Sequence, residues 1–310
     1  MQNWQNQIRT YDLFPKRWLL SRFVLLFLMT PLVFHAPDVP ASNGHEETVH
    51  FSTATAPPTP FQVKRLGNDA RNPPGPEMVG VLALPDTEEP VPAVVLVMPC
   101  YGDHVFRNWM SVLTEWGYAT FRFTRCGQKA KIYQGPLHAY DWKEGAEAAF
   151  GALNYLALRP EIDASRIAVM SWSRFGMVPL SVLNEAGFAQ FHERSFRTAI
   201  AFYPICSFAR EPHDGPILVL TAAADDWISS PICQRLGRKT TNDQHPVNVV
   251  VFEGAYQGFD LPAFGPPEYR EKEINPDGFN AKGRTMGYDS DAHKRAVRLV
   301  REHLSRHLGK

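Results

Sequence analysis

A serine, an acidic pair and a glutamine stand at the ends of three apolar runs in this chain, in an order that suits nucleophilic chemistry. The run Ile167-Ala168-Val169-Met170 leads straight into Ser171-Trp172-Ser173-Arg174-Phe175-Gly176. An apolar run that ends in a serine and continues as a helical pattern is the sequence form of a nucleophile elbow. The sharp strand-to-helix turn lifts the serine oxygen clear of the sheet and turns the next backbone N–H toward the same point. That places Ser173 at the tip and the N–H of Arg174 beside it as an oxyanion donor. Small residues usually flank the nucleophile on both sides; here Ser171 and Phe175 hold those positions, and Gly176 comes one residue later. The competing reading is a buried strand that happens to end in serines.

Three further strand ends collect polar or special residues. Ile217 to Leu220 ends in Thr221-Ala222-Ala223-Ala224-Asp225-Asp226-Trp227, where a carboxylate could orient a catalytic imidazole or simply cap a helix. Val247 to Phe252 ends in Glu253-Gly254-Ala255-Tyr256-Gln257-Gly258-Phe259-Asp260, a tight turn with a polar residue between glycines. Val94 to Val97 ends in Met98-Pro99-Cys100-Tyr101-Gly102-Asp103-His104. Backbone N–H groups at Cys100 and Tyr101 could join that of Arg174 around an oxyanion. The bland alternative is a loop shaped by Pro99 and Gly102.

The elements that must position these residues alternate along the chain. Ala93 to Val97 is continuously apolar, as in a strand covered on both faces. Val105 to Trp116 can form a crossover helix to a strand at Tyr118 to Phe123. Trp142, Ala146, Ala149, Phe150, Leu153 and Leu156 recur at helical spacing up to Pro160. Further strands fit Ala199 to Tyr203, Pro216 to Leu220 and Val247 to Phe252. A last helix fits Ala292 to Leu308, with Ser290 or Asp291 as its cap. Repeated βα units imply an α/β protein with a doubly wound, mostly parallel sheet and helices on both faces. Ahead of them, Phe61 to Leu66 and Met78 to Leu84 read as an antiparallel hairpin at a sheet edge, turned by Asn72-Pro73-Pro74-Gly75.

The chain has 310 residues, 44% of them apolar, enough for one large domain with its own core. Its 32 basic and 32 acidic residues balance, so overall charge suggests neither nucleic acid nor an acidic membrane surface as a partner. Lys16, Arg17 and Arg22 precede the apolar stretch Phe23 to Phe34, which leads to Val39-Pro40-Ala41. This reads as a signal peptide over residues 1–41 cleaved after Ala41, with an uncleaved N-terminal anchor as the alternative, and it implies export to the periplasm or beyond. Ser42 to Pro60 is rich in Thr, Ala, Pro and His without an apolar period, so residues 42–60 read as a disordered linker and 61–310 as a single domain.

The series of motifs resembles the dienelactone hydrolase family of α/β-hydrolases from about Val79 to Leu308. The order of the elbow, Asp225-Asp226-Trp227 and Gly254 to Asp260 carries the resemblance. Supporting matches are Cys100 to Gly102, Gly117-Tyr118, Asp163 to Val169, Tyr203-Pro204 and Tyr288-Asp289. It implies an α/β-hydrolase fold and a triad with Ser173 as nucleophile and Asp225 as orienting acid, Asp226 being the fallback. The family's general base is a histidine, and the matching position here is Gln257. Glutamine cannot take a serine proton near neutral pH. Met98-Pro99 stands where the family commonly has His-Gly, and Phe175 where it has a small residue. His104 and His138, in loops over the same face, are the candidate substitutes for the base. His293, His303 and His307 read as solvent-facing residues of the last helix.

The resemblance therefore implies a serine hydrolase acting on small carboxylic esters or lactones by acyl transfer to Ser173, with weak activity because of Gln257. The alternative is a catalytically inactive small-molecule binding protein on the same fold. No cofactor is implied, and no metal-ligand spacing recommends a metal site. The four cysteines allow three pairings; on the inferred sheet, Cys206 and Cys233 follow neighbouring strands and could bridge, as could Cys100 and Cys126.

Overall fold

Strands too apolar to face water on either side build the centre of one eight-stranded sheet. In chain order they are β1 (His45–Ser52), β2 (Glu77–Leu84), β3 (Val91–Val97), β4 (Ala119–Phe123), β5 (Ile162–Trp172), β6 (Thr198–Phe202), β7 (Ile217–Ala222) and β8 (Val247–Phe252). Their spatial order is β1-β2-β4-β3-β5-β6-β7-β8. The pairs β1/β2 and β2/β4 are antiparallel, and every other neighbouring pair is parallel. All residues of β3, β6 and β7 are buried. This computed structural model describes residues 45–54, 60–67, 75–99, 101–123, 140–209, 212–241, 243–272 and 283–310. Within it Ala41–Lys310 forms one compact unit. The segment read as a signal peptide or anchor lies outside the described residues, as do Cys100, Cys126 and His138.

Six helices are described: α1 (Pro60–Leu66), α2 (Asp103–Glu115), α3 (Tyr140–Leu156), α4 (Met177–Val182), α5 (Ser230–Lys239) and α6 (Ser290–Leu308). Alternate residues of the strands serve two cores. Ala93, Val95, Ala199 and Val219 pack with Phe150 and Leu153 of α3, Val178 of α4 and Leu236 of α5. Val94, Leu96, Ile200 and Leu218 pack with Trp109 and Leu113 of α2 and with Val300 and Leu304 of α6. Each Val, Leu or Ile among them, once fully buried, contributes about 2 kcal/mol. The sheet is thus doubly wound with helices on both faces, as the alternating pattern indicates. A small antiparallel pair, β9 (Glu268–Arg270) and β10 (Arg284–Met286), lies between β8 and α6 in the chain.

The edge of the sheet departs from the sequence reading. The antiparallel partner of β2 is β1, which lies inside the stretch read as a disordered linker, while Phe61 to Leu66 belongs to the short helix α1 and not to a strand. An edge strand has one neighbour and one covered face, so β1 buries only Val49 and Phe51 and carries no longer apolar pattern. Backbone pairing along its whole length with β2 supplies the rest.

Two details of α6 also differ. Its cap is Asp289, whose carboxylate accepts from the N–H groups of Asp291 and Ala292, and not Ser290 or Asp291. His293 and His303 face inward and not toward solvent. His303 is buried with its Nε2 2.6 Å from Thr198 Oγ1, and burial pushes its pKa down to about 3. The disulfide Cys206–Cys233 is formed and ties the turn after β6 to α5. Among the described residues no helix is long and apolar enough to cross a membrane.

Candidate active site

The elbow is built as the sequence pattern requires, with the small residue displaced by one position. Register pairs Ser171 with Val97, and the Ser171 hydroxyl donates to the Val97 carbonyl at 2.6 Å, which ties the end of β5 to β3. Ser173 follows with φ 57°, in the left-handed region. A residue with a Cβ adopts that conformation at a cost of about 1–2 kcal/mol. A single 3₁₀ turn, Ser173–Gly176, then opens into α4. At Gly176 a Cβ would come 3.0 Å from Pro204 Cα, so the close approach to the end of β6 leaves little room for a side chain there. Phe175 packs against the core on the other side, over Gly145 of α3, where a Cβ would meet the Phe175 ring at 3.3 Å. The bulky Phe175, two residues beyond Ser173, thus packs where the facing helix carries a glycine.

Gln257 comes from the turn after β8 and reaches Ser173. Gly258 holds φ 84°, and a Cβ on it would lie 2.5 Å from the Phe264 ring, so the turn demands glycine. The Gln257 side chain is fully buried and donates from Nε2 to Ser173 Oγ at 3.1 Å. Its Oε1 accepts from Arg284, whose other terminal nitrogen donates to the Tyr101 hydroxyl at 2.9 Å. The Arg284 guanidinium is buried and lies 4.1 Å from the centre of the Trp227 ring. β10 delivers it: the Asp226 carboxylate accepts from the N–H and the hydroxyl of Thr285, both at 2.9 Å, and Gly287 N–H donates to the Gln257 carbonyl at 3.1 Å. Arg284 is a site residue that sequence reasoning missed, since nothing in the spacing of an isolated arginine marks it.

The other expected site residues fall into place unevenly. Asp225 Oδ1 accepts from the backbone N–H groups of Trp227 and Ile228, each at 2.9 Å. Its Oδ2 is buried with no hydrogen-bond partner among the described residues. Loss of solvent around the carboxyl group raises its pKa to about 6, against the two N–H donors and the positive charge of Arg284. Tyr101 does not serve as a backbone donor to an oxyanion, because its N–H is bonded to the Pro99 carbonyl at 2.8 Å; its part in the site is the hydroxyl. Arg174 is the first residue after Ser173 on the 3₁₀ turn. His104 is exposed in the first turn of α2 beside Gly102, and the described partner of the Ser173 hydroxyl is Gln257 instead. No group of three or more His, Cys, Asp or Glu side chains suited to a metal occurs among the described residues.

Behind the elbow lies a second buried acid. Asp260, completely buried, accepts from the indole N–H groups of Trp109 at 2.7 Å and Trp172 at 2.8 Å and from the Tyr203 hydroxyl at 2.9 Å. Trp172 immediately precedes Ser173, and Tyr203 holds φ 37° just after β6. Burial raises the Asp260 pKa to about 6 while the three donors oppose the rise. The His293 ring closes the network from α6, with Nδ1 2.9 Å from the Asp260 carbonyl oxygen and Nε2 3.3 Å from Asn108 Nδ2. The carbonyl can only accept, so Nδ1 carries the proton.

A serine at the tip of a strained turn between β5 and α4, on a sheet of this strand order, defines an α/β-hydrolase fold. The dienelactone hydrolase family model matches residues 78–308, and the chain belongs to that family. No curated protein matches the chain. Solved structures with the same fold include a dienelactone hydrolase-like promiscuous phosphotriesterase from metagenomic libraries, at 16% identity and TM-score 0.57, covering 86% of this chain and 100% of that one. Esterase 2 of Thermogutta terrifontis, phosphorylated by paraoxon, is 14% identical with TM-score 0.53 over 73% of this chain and 88% of its own. An α/β-hydrolase enzyme from a Medee basin deep-sea metagenome library is 13% identical with TM-score 0.51, over 84% and 99% respectively.

Proposed function

We infer that the protein acts on small carboxylic esters or lactones by acyl transfer to Ser173, at a rate held low because residue 257 donates to the nucleophile and does not accept its proton. The observation that carries this reading is the Gln257 to Ser173 hydrogen bond at the tip of an elbow that keeps its strained φ of 57°. Ser173 Oγ attacks the carbonyl carbon, with the Arg174 N–H as the oxyanion donor. The bond to the alcohol oxygen breaks, that oxygen takes up a proton, and the serine proton passes to water. A second water then adds to the acyl carbon, releases the acid and restores the serine. Hydrolases stripped of triad members retain about 10³-fold or more acceleration from binding and oxyanion donors, so slow turnover is compatible with the missing base.

The second reading, binding without turnover, is favoured by the same contact, since it occupies a serine lone pair and offers no acceptor. An organophosphorus probe separates the two, a choice supported by the esterase of this fold that paraoxon phosphorylates. Slow labelling by a fluorophosphonate, abolished by Ser173→Ala, is the expected result. A wild-type protein unlabelled over hours, beside a fully labelled control hydrolase, would leave only the binding reading. In the same proposal the mature chain is exported, supported by the N-terminal charge and apolar pattern and by a disulfide that persists best in an oxidising compartment. N-terminal sequencing of the mature protein, expected to begin at Ser42, checks this.

A further inference from the structure

The direction of the hydrogen bond at Ser173 is set one residue further out. A guanidinium carries donors and no acceptor. Arg284 therefore takes the Gln257 amide by its oxygen, and the amide nitrogen is left to face Ser173. We propose that Arg284 is the positioning residue that sets the polarity of this site, holding residue 257 as a donor to Ser173, so that even a histidine placed there stays idle until the guanidinium is removed. The proposal rests on Ser173 as the nucleophile, but not on the natural chain being active.

The chemistry follows from tautomers. To take the serine proton, an imidazole introduced by Gln257→His must present a bare nitrogen to Ser173. Its other nitrogen then carries hydrogen and needs an acceptor. Opposite Arg284 that nitrogen meets a donor. The ring resolves the conflict by adopting the other tautomer, accepting from Arg284 and again donating to Ser173. The nearby positive charge also opposes formation of imidazolium.

In this proposal Asp225, the acid at the position the family uses, supplies the acceptor such a ring requires. Asp225 is held rigidly by two backbone N–H groups on Oδ1, and its buried Oδ2 has no partner among the described residues. The charge of Arg284 acts on that carboxyl group, and Trp227, two residues on, stacks under the guanidinium. The acid at the expected position is therefore intact. Besides the missing imidazole, the site holds a donor next to residue 257, anchored by Tyr101 on one side and by the Asp226 to Thr285 contacts that pin β10 on the other.

The test uses the full mature chain and four variants, read by hydrolysis of p-nitrophenyl acetate and by its pH profile. Gln257→His alone is expected to stay within about threefold of wild type, whereas Gln257→His/Arg284→Met should exceed it by about 100-fold, the lower end of general-base catalysis. The gain should rise with pH through the histidine range near about 6.5 and vanish on adding Ser173→Ala. Gln257→His/Arg284→Lys keeps a charged donor and should remain as slow as Gln257→His. Equal rates for Gln257→His with and without Arg284→Met overturn the proposal. So does a Lys variant as fast as the Met variant, which would make packing the cause, or a cooperatively folded double variant with no gain. Where Arg284→Met does not fold, Arg284→Gln, whose amide oxygen can accept, takes its place with the same expectation. A gain in the double variant with an unlabelled wild type sinks only the slow-turnover reading; a labelled wild type with no gain sinks only this proposal.

Discussion

Two acids sit at the carboxyl-terminal side of the sheet, and their surroundings differ in one respect that divides structure from chemistry. Asp260, behind the elbow, spends both oxygens on three side-chain donors drawn from α2, β5 and the end of β6. Asp225, at the end of β7 and within the electrostatic reach of Arg284, spends one oxygen on its own turn and leaves the other enclosed and without a partner among the described residues. Both carry pKa values raised to about 6 by desolvation. A fully matched buried carboxylate orders the elements around it, whereas an unmatched one costs stability. Around Asp260 both oxygens are matched, while Asp225 keeps one oxygen without a partner among the described residues, and Gln257, not a histidine, faces Ser173.

The comparison breaks most sharply at Asp260. Asp260→Ala leaves two indoles and a phenol unpaired in the core, and should lower unfolding stability by about 4 kcal/mol at pH 7.5, measured by urea denaturation. A cost no larger than that of Asp225→Ala would mean that the three donors do not distinguish the two sites. The opposite sign is expected for Asp225→Asn, which retains an oxygen for the two backbone N–H groups and removes the charge. Each acid's folded pKa lies above its ordinary value of 3.8, so between about pH 4 and pH 6 the folded chain holds protons that the unfolded chain has released. Stability therefore falls as pH rises through that window. Asp225→Asn should gain about 1 kcal/mol at pH 7.5 and flatten the decline between pH 4 and 6; an unchanged slope in pH-dependent unfolding would remove Asp225 from the account. An effect of similar size isolates the strain at Ser173. Ser173→Gly should be more stable than Ser173→Ala by about 1 kcal/mol, because only glycine takes the left-handed φ freely, and equal melting temperatures would show that the elbow relaxes in the variants.

How much of this can be read without coordinates depends on where each residue finds its partners. β3, β6 and β7 announce themselves because both faces are covered, so that apart from Thr198 and Thr221 their residues are apolar. β1 does not, since two buried side chains and a distant partner strand make it. Ser173, Asp225 and Gln257 lie just beyond strand ends, the places where a doubly wound sheet presents ligand-facing groups. Arg284 lies 27 residues beyond Gln257 in sequence and enters only through β10 and its anchoring by Asp226. His293 and His303 look solvent-facing on a helix of mixed composition, yet Asp260 and Thr198, far away in sequence, draw them inward.

From the sequence alone come the order of the βα units, the elbow with Ser173 at its tip and the absence of a histidine at residue 257. These are properties of local pattern and residue type, which a chain carries wherever it folds. Only the tertiary structure decides that Gln257 donates to Ser173, because the direction of that hydrogen bond depends on a donor-only neighbour from another part of the chain. It decides equally that Phe175 is tolerated, through Gly145 on the facing helix, and that Asp260 is a brace. Hydrogen-bond polarity and steric fit are relations between residues, and they exist only once the chain has brought those residues together.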